Sequence, residues 1–143
     1  MALVDARPAI RAHLLADLAI SNIVGTRIFP IQLPQGVIQP SIVYHVIDET
    51  EGYHYSGPDG LVAQRLQIDA VSRSSDEAIN ISTLCKERLG GFAGVIAYGT
   101  NSPQDTVEVQ LIQFLTTQPE DYDNDLALYT KRRDYMVWFV ERI

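Results

Sequence analysis

Cysteine is nearly absent from this chain, since Cys85 is the only one among 143 residues. A lone thiol cannot close a disulfide within the chain, and it excludes the paired CxxC ligands of structural zinc sites. The chain is therefore not a disulfide-stapled secreted protein, and its length predicts one domain, residues 1–143. We expect Cys85 to be a buried, unreactive side chain on a helix.

Positive charge is also scarce. Lys and Arg total 11 against 18 Asp and Glu, which gives a formal charge of −7. An acidic chain is repelled by the phosphates of nucleic acids and by anionic lipid surfaces. We therefore expect neither nucleic acid nor membrane among its partners.

Long apolar runs are missing as well. No run approaches the roughly 20 residues that cross a bilayer. Residues 1–18 are amphipathic and interrupted by charged side chains, so they lack the unbroken apolar stretch of a signal peptide. We expect the protein to begin its life in the cytosol.

The short motifs of catalysis and of metal or cofactor binding do not occur. His13, His45 and His54 share no metal-ligand spacing, and no G-x-S-x-G, Walker or dinucleotide-binding motif is present. Gly90 and Gly91 follow a predicted helix, as helix-terminating glycines do, whereas phosphate-binding glycines precede one. We expect no enzymatic activity and no cofactor.

Asp121, Asp123 and Asp125 have the D-x-D-x-D spacing that opens a calcium-binding loop. Such a loop needs glycine at its sixth position and glutamate at its twelfth. Leu126 and Arg132 stand there instead. We interpret the three aspartates as a solvated acidic loop or a contact between subunits.

Helical and strand-like patterns alternate along the chain. Helices are predicted over residues 5–18, with Asp5 as cap, and from the Ser74–Glu77 capping box to Gly90, and a short second turn is predicted over residues 20–24. Alternating or β-branched runs predict strands at 27–31, 41–49, 61–71, 95–98, 106–116 and 128–141. Loops are predicted at 31–40, 51–60 and 119–125, and the broken alternation of 111–115 indicates a bulge or a strand buried on both faces. The links are short for parallel crossovers, so we predict an α+β fold: a mostly antiparallel sheet of about 4–6 strands with two main helices on one face.

Two aromatic residues, Tyr53 and Tyr55, lie in the predicted glycine- and proline-containing loop. Exposed aromatic side chains on loops commonly anchor protein partners. The alternative is that both fold back on their own domain, and the sequence leaves the two possibilities open.

The basic run Lys131, Arg132 and Arg133 follows the acidic segment directly. It is either a solvated sheet edge, where charge blocks unwanted pairing, or a salt-bridging surface between copies of the chain. Because neighbouring residues of a strand point to opposite faces, Arg132 and Arg133 cannot serve the same face.

A series of segments occurs in a characteristic order over nearly the whole chain. They are Val24-Gly25-Thr26-Arg27-Ile28-Phe29-Pro30, Leu33-Pro34-Gln35-Gly36, Pro40-Ser41-Ile42-Val43-Tyr44, Gly57-Pro58-Asp59-Gly60-Leu61, Arg65-Leu66-Gln67-Ile68-Asp69, Asp76-Glu77-Ala78, Asp121-Tyr122-Asp123, Leu128-Tyr129 and Arg132-Arg133-Asp134-Tyr135. In this order and spacing the chain resembles the tail completion (tail terminator) family of long-tailed bacteriophages, prophages and gene transfer agents.

The resemblance implies a structural virion protein with a mixed sheet flanked by helices. Such proteins form hexameric rings that end the growth of the tail tube and present a surface for joining the head. Implied partners are further copies of the chain, the major tail tube protein and head–tail connector proteins. The implied location is the head–tail interface of the virion, and the host cytoplasm during assembly.

A closed ring needs two different surfaces on each copy that fit one another. The acidic Asp121, Asp123 and Asp125 and the basic residues 131–133 are candidates for the two halves. Tyr53 and Tyr55 are candidates for the residues that supply affinity.

Two other functions remain open at this point. One is a head-side connector protein, which would bind filled heads and not tail tubes. The other is a small-molecule binding module, which would show one deep pocket with converging polar groups.

Overall fold

A computed structural model describes residues 5–36, 39–99 and 105–140. Its helices are α1 (Ala6–Leu15), α2 (Leu18–Val24) and α3 (Ser75–Leu89). Its strands are β1 (Ile28–Pro30), β2 (Ser41–His54), β3 (Gly57–Ser72), β4 (Gly94–Tyr98), β5 (Asp105–Thr117), β6 (Asp121–Asp123) and β7 (Leu128–Val140). No helix in these ranges is both long enough and apolar enough to cross a membrane.

Side-chain caps set the beginnings of the helices. The Asp5 carboxylate accepts the Arg7 N–H at the start of α1, and Ser74 Oγ accepts the Glu77 N–H at the start of α3. The helix predicted over 5–18 ends at Leu15 instead, and the short second turn predicted over 20–24 is a separate helix, α2, which Asp17 begins by accepting the Ala19 N–H. Asp17 is thus the N-cap of α2, a position that aspartate favours because its short side chain accepts a backbone N–H.

The sheet has the strand order β1-β2-β3-β7-β5-β4, with β6 added to β7. β1 lies parallel to β2, whereas the other neighbouring strands are antiparallel. Within the described residues the sheet is therefore mixed and has seven strands, which corrects the predicted mostly antiparallel sheet of about 4–6. Because β1 is very short, the connection of residues 31–40 suffices to bring β2 back alongside it in the same direction.

Two of the predicted loops contain strands. Residues 51–60 belong mostly to one long hairpin, in which β2 and β3 pair from Ser41–Val71 out to His54–Gly57. Glycines suggested a loop, yet register shifts after Val46 and Glu51 absorb the irregularity without ending the strands. The predicted acidic loop 119–125 contains β6, which pairs with the start of β7.

The hydrophobic core lies between the helices and one face of the sheet. Ile10 and Leu14 of α1 and Ile81 of α3 join the alternate residues of β3, β5 and β7 in one buried cluster. Cys85 belongs to it and is fully buried, and this burial raises the pKa of its thiol to about 12. The prediction of an unreactive helical cysteine is thus confirmed.

Candidate assembly surfaces

The face of the sheet turned away from the helices carries a band of charged and amide side chains. We call it the charged face and define it by Arg65, Gln67 and Asp69 of β3 and Arg132 and Asp134 of β7. The register brings Gln67 opposite Asp134 and Asp69 opposite Arg132. Because side chains alternate along a strand, the residues between these five point into the core.

Asp134 is the centre of the charged face and is almost completely buried. Its Oδ2 accepts a hydrogen bond from Arg65 Nη2 at 2.8 Å, and its Oδ1 accepts one from Gln67 Nε2 at 3.1 Å. Gln118 Nε2 donates to the same carboxylate at 3.2 Å. A buried charge requires this degree of pairing, so the group acts as a single structural unit.

Arg132 lies between two carboxylates of its own chain. Its Nε is 3.5 Å from Asp69 Oδ2 and its Nη1 is 3.2 Å from Asp121 Oδ2. Burial raises the pKa of Asp69 more than the nearby charges of Arg132 and His45 lower it. The predicted contact of Arg132 and Asp121 with a neighbouring copy stays a prediction, since within one chain the two already pair with each other.

Arg133 points to the opposite face from Arg132, as the alternation predicted. Its Nε donates to Ser82 Oγ of α3 at 2.7 Å, and its Nη1 donates to Thr117 Oγ1 at 2.9 Å. In the described ranges no carboxylate forms an ion pair with Arg133 or with Lys131. The basic run therefore divides between two surfaces and is not one patch.

The three candidate aspartates lie on β6 and the turn after it, and all are exposed. Asp123 Oδ1 accepts the N–H groups of Asp125 at 2.9 Å and of Leu126 at 3.2 Å, which closes this turn. Within residues 5–36, 39–99 and 105–140, no three His, Cys, Asp or Glu side chains are grouped to hold a metal ion. Their arrangement is that of a solvent-facing turn beside Arg132.

The β2–β3 hairpin forms an arm, which we define as residues 48–60. Tyr53 is 69% exposed and Tyr55 is fully exposed, so neither folds back on its own domain. Asp48, Glu49, Glu51 and Asp59 also belong to the hairpin arm, which contains no Lys or Arg. Whether the tyrosines anchor a partner remains a prediction that the single chain does not test.

A groove between α3 and β5 was not anticipated from the sequence. It has a volume of about 520 Å³, and we call it the α3–β5 groove; its lining includes Lys86, Glu87, Leu111, Ile112 and Phe114. The broken alternation at 111–115 was its one sequence signal, because the register shift between Val109 and Leu111 accompanies it. Nothing in the sequence indicated that the end of α3 stands off from this strand.

Two cations flank the aromatic ring in the α3–β5 groove. Lys86 Nζ lies 4.4 Å from the centre of the Phe114 ring, and Arg133 Cζ lies 5.6 Å from it. Both distances are within the range of cation–π attraction. The groove therefore combines an apolar floor with local positive charge on a chain whose net charge is negative.

A second cleft of about 600 Å³ lies beside the start of α1 and includes Arg7, Arg11 and Tyr44. Arg7 pairs with Asp5 at 3.0 Å, and Arg11 Nε donates to the Ile28 carbonyl at 2.9 Å. These contacts tie both guanidinium groups to their own chain. The cleft thus holds structural arginines, and we assign it no ligand.

Comparison with known proteins gives a family and a similar fold. The family model described as "Tail completion protein gp17" matches residues 8–125. A chain in the solved structure "Virion of native gene transfer agent (GTA) particle" has a similar fold, with a TM-score of 0.70. The two chains are 12% identical, and the similarity covers 93% of this chain and 92% of that one. No curated protein matches the sequence.

Proposed function

This chain belongs to the tail completion protein gp17 family, and from that premise we propose that it caps the head-proximal end of a phage-type tail tube. The family places the chain among structural proteins of the virion. The proposed action is physical: a cap covers the surface to which the next tube subunit would bind. The family match over residues 8–125 is the observation that carries this proposal.

The proposed cap is a closed homo-oligomeric ring, a hexamer, seated on the tube. A ring of identical copies needs two different complementary surfaces on each copy. The hairpin arm and the α3–β5 groove are two different surfaces of each copy, and the exposed Tyr53 and Tyr55 suit a protein contact. The tail tube protein and a head–tail connector are the proposed partners on the two sides of the ring.

Ending the tube and accepting the head are two parts of one proposed role. One side of the ring must match the tube, while the other must differ from the tube so that no further subunit adds. The same non-matching side then offers a new surface for the head. A head-side connector would perform only the second part, and it is the rival that the experiment must separate.

The test is to delete the gene in the producing host and to image the tails by electron microscopy. A cap predicts tubes of uncontrolled length, with the normal length restored when the intact chain is supplied from a plasmid. Tails of normal length that lack heads would assign only a joining role. Normal particles in the deletion would overturn the proposal and favour an unrelated role, such as small-molecule binding.

A further inference from the structure

The hairpin arm carries four acidic groups and no Lys or Arg. Among the described residues, none of Asp48, Glu49, Glu51 and Asp59 forms an ion pair with Lys or Arg. The Glu49 carboxylate accepts from Gln64 Nε2 at 2.5 Å, and Asp59 Oδ1 accepts the Leu61 N–H at 2.9 Å. These contacts hold the arm in shape. Arg65, opposite Asp48 in the register, offsets charge at the base of the arm, whereas Glu51 and Asp59 leave negative charge toward its tip.

The α3–β5 groove lies beside two cations that are not held in ion pairs within the described part of the chain. Lys86 and Arg133 form no ion pair with any carboxylate in the described ranges, and Lys86 is exposed. Both cations face Phe114, a ring whose partly buried side chain packs against the core. Among the described residues the groove lining carries Glu87 as well as Lys86, so these two charges balance, and Arg133 beside Phe114 adds a further positive charge.

The hairpin arm of a chain cannot fill the groove of the same chain. The register places Phe114 level with Tyr135, Leu66 and Val46, so the groove lies three strands away from β2. At about 4.8 Å per strand, this separation is roughly 14 Å across the sheet. Leu61 is the outermost residue of β3 that pairs with β7. The arm extends along the strands beyond it and therefore points away from the level of Phe114.

We propose that the hairpin arm of one copy docks into the α3–β5 groove of the next copy around the ring. This inference rests on the proposed function, because it describes how copies of the cap meet. The arm carboxylates lie near Lys86 and Arg133, and the arm tyrosines pack against Phe114. The contact joins different surfaces of identical chains, so repeating it around an axis closes a ring.

Cysteine cross-linking tests the contact directly. Cys85 is buried and its burial raises the thiol pKa to about 12, so introduced cysteines are the only reactive ones expected. Ser56→Cys and Glu87→Cys place one thiol at the exposed tip of the arm and one on the groove rim, and both arm tyrosines are kept. In particles assembled from the double variant, a short bis-maleimide should give a ladder from dimer upward on a denaturing gel.

Each single variant is the control and should remain monomeric on the same gel. Assembled double-variant particles that yield only monomer would overturn the arm-in-groove contact. They would leave the cap function untouched, because the deletion phenotype tests that function separately.

A charge exchange gives a second, independent measurement. Lys86→Glu and Glu51→Lys should each lower the yield of complete particles about tenfold or more, because each sets like charges against one another. The combined variant should recover to within about threefold of the wild type. Arg73→Glu, at an exposed arginine outside the groove, should have no effect.

The thermal stability of each purified variant separates assembly defects from folding defects. Wild-type yields from both single charge variants would contradict the proposal. So would a combined variant that folds normally yet recovers nothing.

Discussion

The two faces of β7 differ sharply in chemistry, although the side chains that form them alternate along one strand. Tyr135, Val137 and Phe139 point to the helices and are fully buried. Arg132 and Asp134 point the other way and join the polar contacts of the charged face. One strand therefore serves two purposes: its helix-facing side holds the fold together, and its other side carries charge that core packing does not need.

The charged face also carries a cost in unsatisfied groups. Two of its buried polar atoms, Asp69 Oδ1 and Arg65 Nε, have no hydrogen-bond partner among the described residues, and neither has Nδ1 of His45, which lies opposite Gln67. On the helix-facing side, the buried Tyr135 hydroxyl also lacks a hydrogen-bond partner among the described residues. Buried charges are weak evidence for stability, because desolvation offsets much of the attraction between them. The charged face is better explained by recognition or by specificity of packing than by stabilisation.

The largest expected effect comes from the helix-facing side. Phe139→Ala should lower the free energy of unfolding by about 3–5 kcal/mol, because it removes a fully buried ring from a packed core. Trp138→Ala is the matched control. Trp138 is the neighbouring aromatic residue, but it is only half-buried and points to the opposite face of the sheet. We expect about 1–2 kcal/mol there from the smaller area buried. Denaturant unfolding of the purified chain measures both, and equal losses would contradict the division of roles.

The second prediction concerns the centre of the charged face. Asp134→Ala leaves Gln67 and Arg65 without their shared acceptor, and we expect a loss of about 2 kcal/mol. This loss is modest because the Arg65 side chain is 38% exposed, so water can solvate its charge. Asp121→Ala is the control on the same face: its carboxylate is 66% exposed and should cost about 0.5 kcal/mol or less. A larger loss at Asp121 than at Asp134 would show that burial does not rank these carboxylates.

Local patterns predicted most of the elements because the residues that define them act over short distances. The Ser74–Glu77 cap and the glycines after Leu89 located α3. The alternation of residues 61–71 located most of β3. The parallel placement of β1 depends on which strands meet across the sheet, and no local pattern records that.

The assembly surfaces were harder to predict, for the same reason. Tyr53 and Tyr55 were identified as exposed aromatics, but the glycines around them concealed the hairpin that carries them. Lys86 was not identified at all, because its pairing with Phe114 joins a helix to a strand. Asp121 and Arg132 were assigned to opposite halves of a contact between copies, which stays a prediction, and their contact within one chain follows from β6 pairing with β7.

The smallest expected effect is a pH dependence at Asp69. Burial raises the pKa of this carboxyl above its ordinary value of 3.8, so the folded chain holds the proton more tightly than the unfolded chain. Its contribution to stability is therefore fully present below pH 3.8 and is lost as the pH rises through the folded-state value. Asp69→Asn cannot ionise and escapes that loss. The unfolding free energy of the variant should therefore gain on that of the wild type between strongly acidic and neutral pH.

Arg132→Gln is the informative partner variant, because it removes the positive charge 3.5 Å from Asp69 Oδ2. Without that charge the pKa of Asp69 should rise further, and the loss of stability with increasing pH should become steeper. Denaturant unfolding measured over a pH series would reveal both changes. Parallel pH profiles for the wild type and Asp69→Asn would mean that ionising this carboxylate costs the folded chain nothing. In that case Asp69 would be no more costly to bury than Asp134, whose carboxylate is paired, and the contrast between the two faces would weaken.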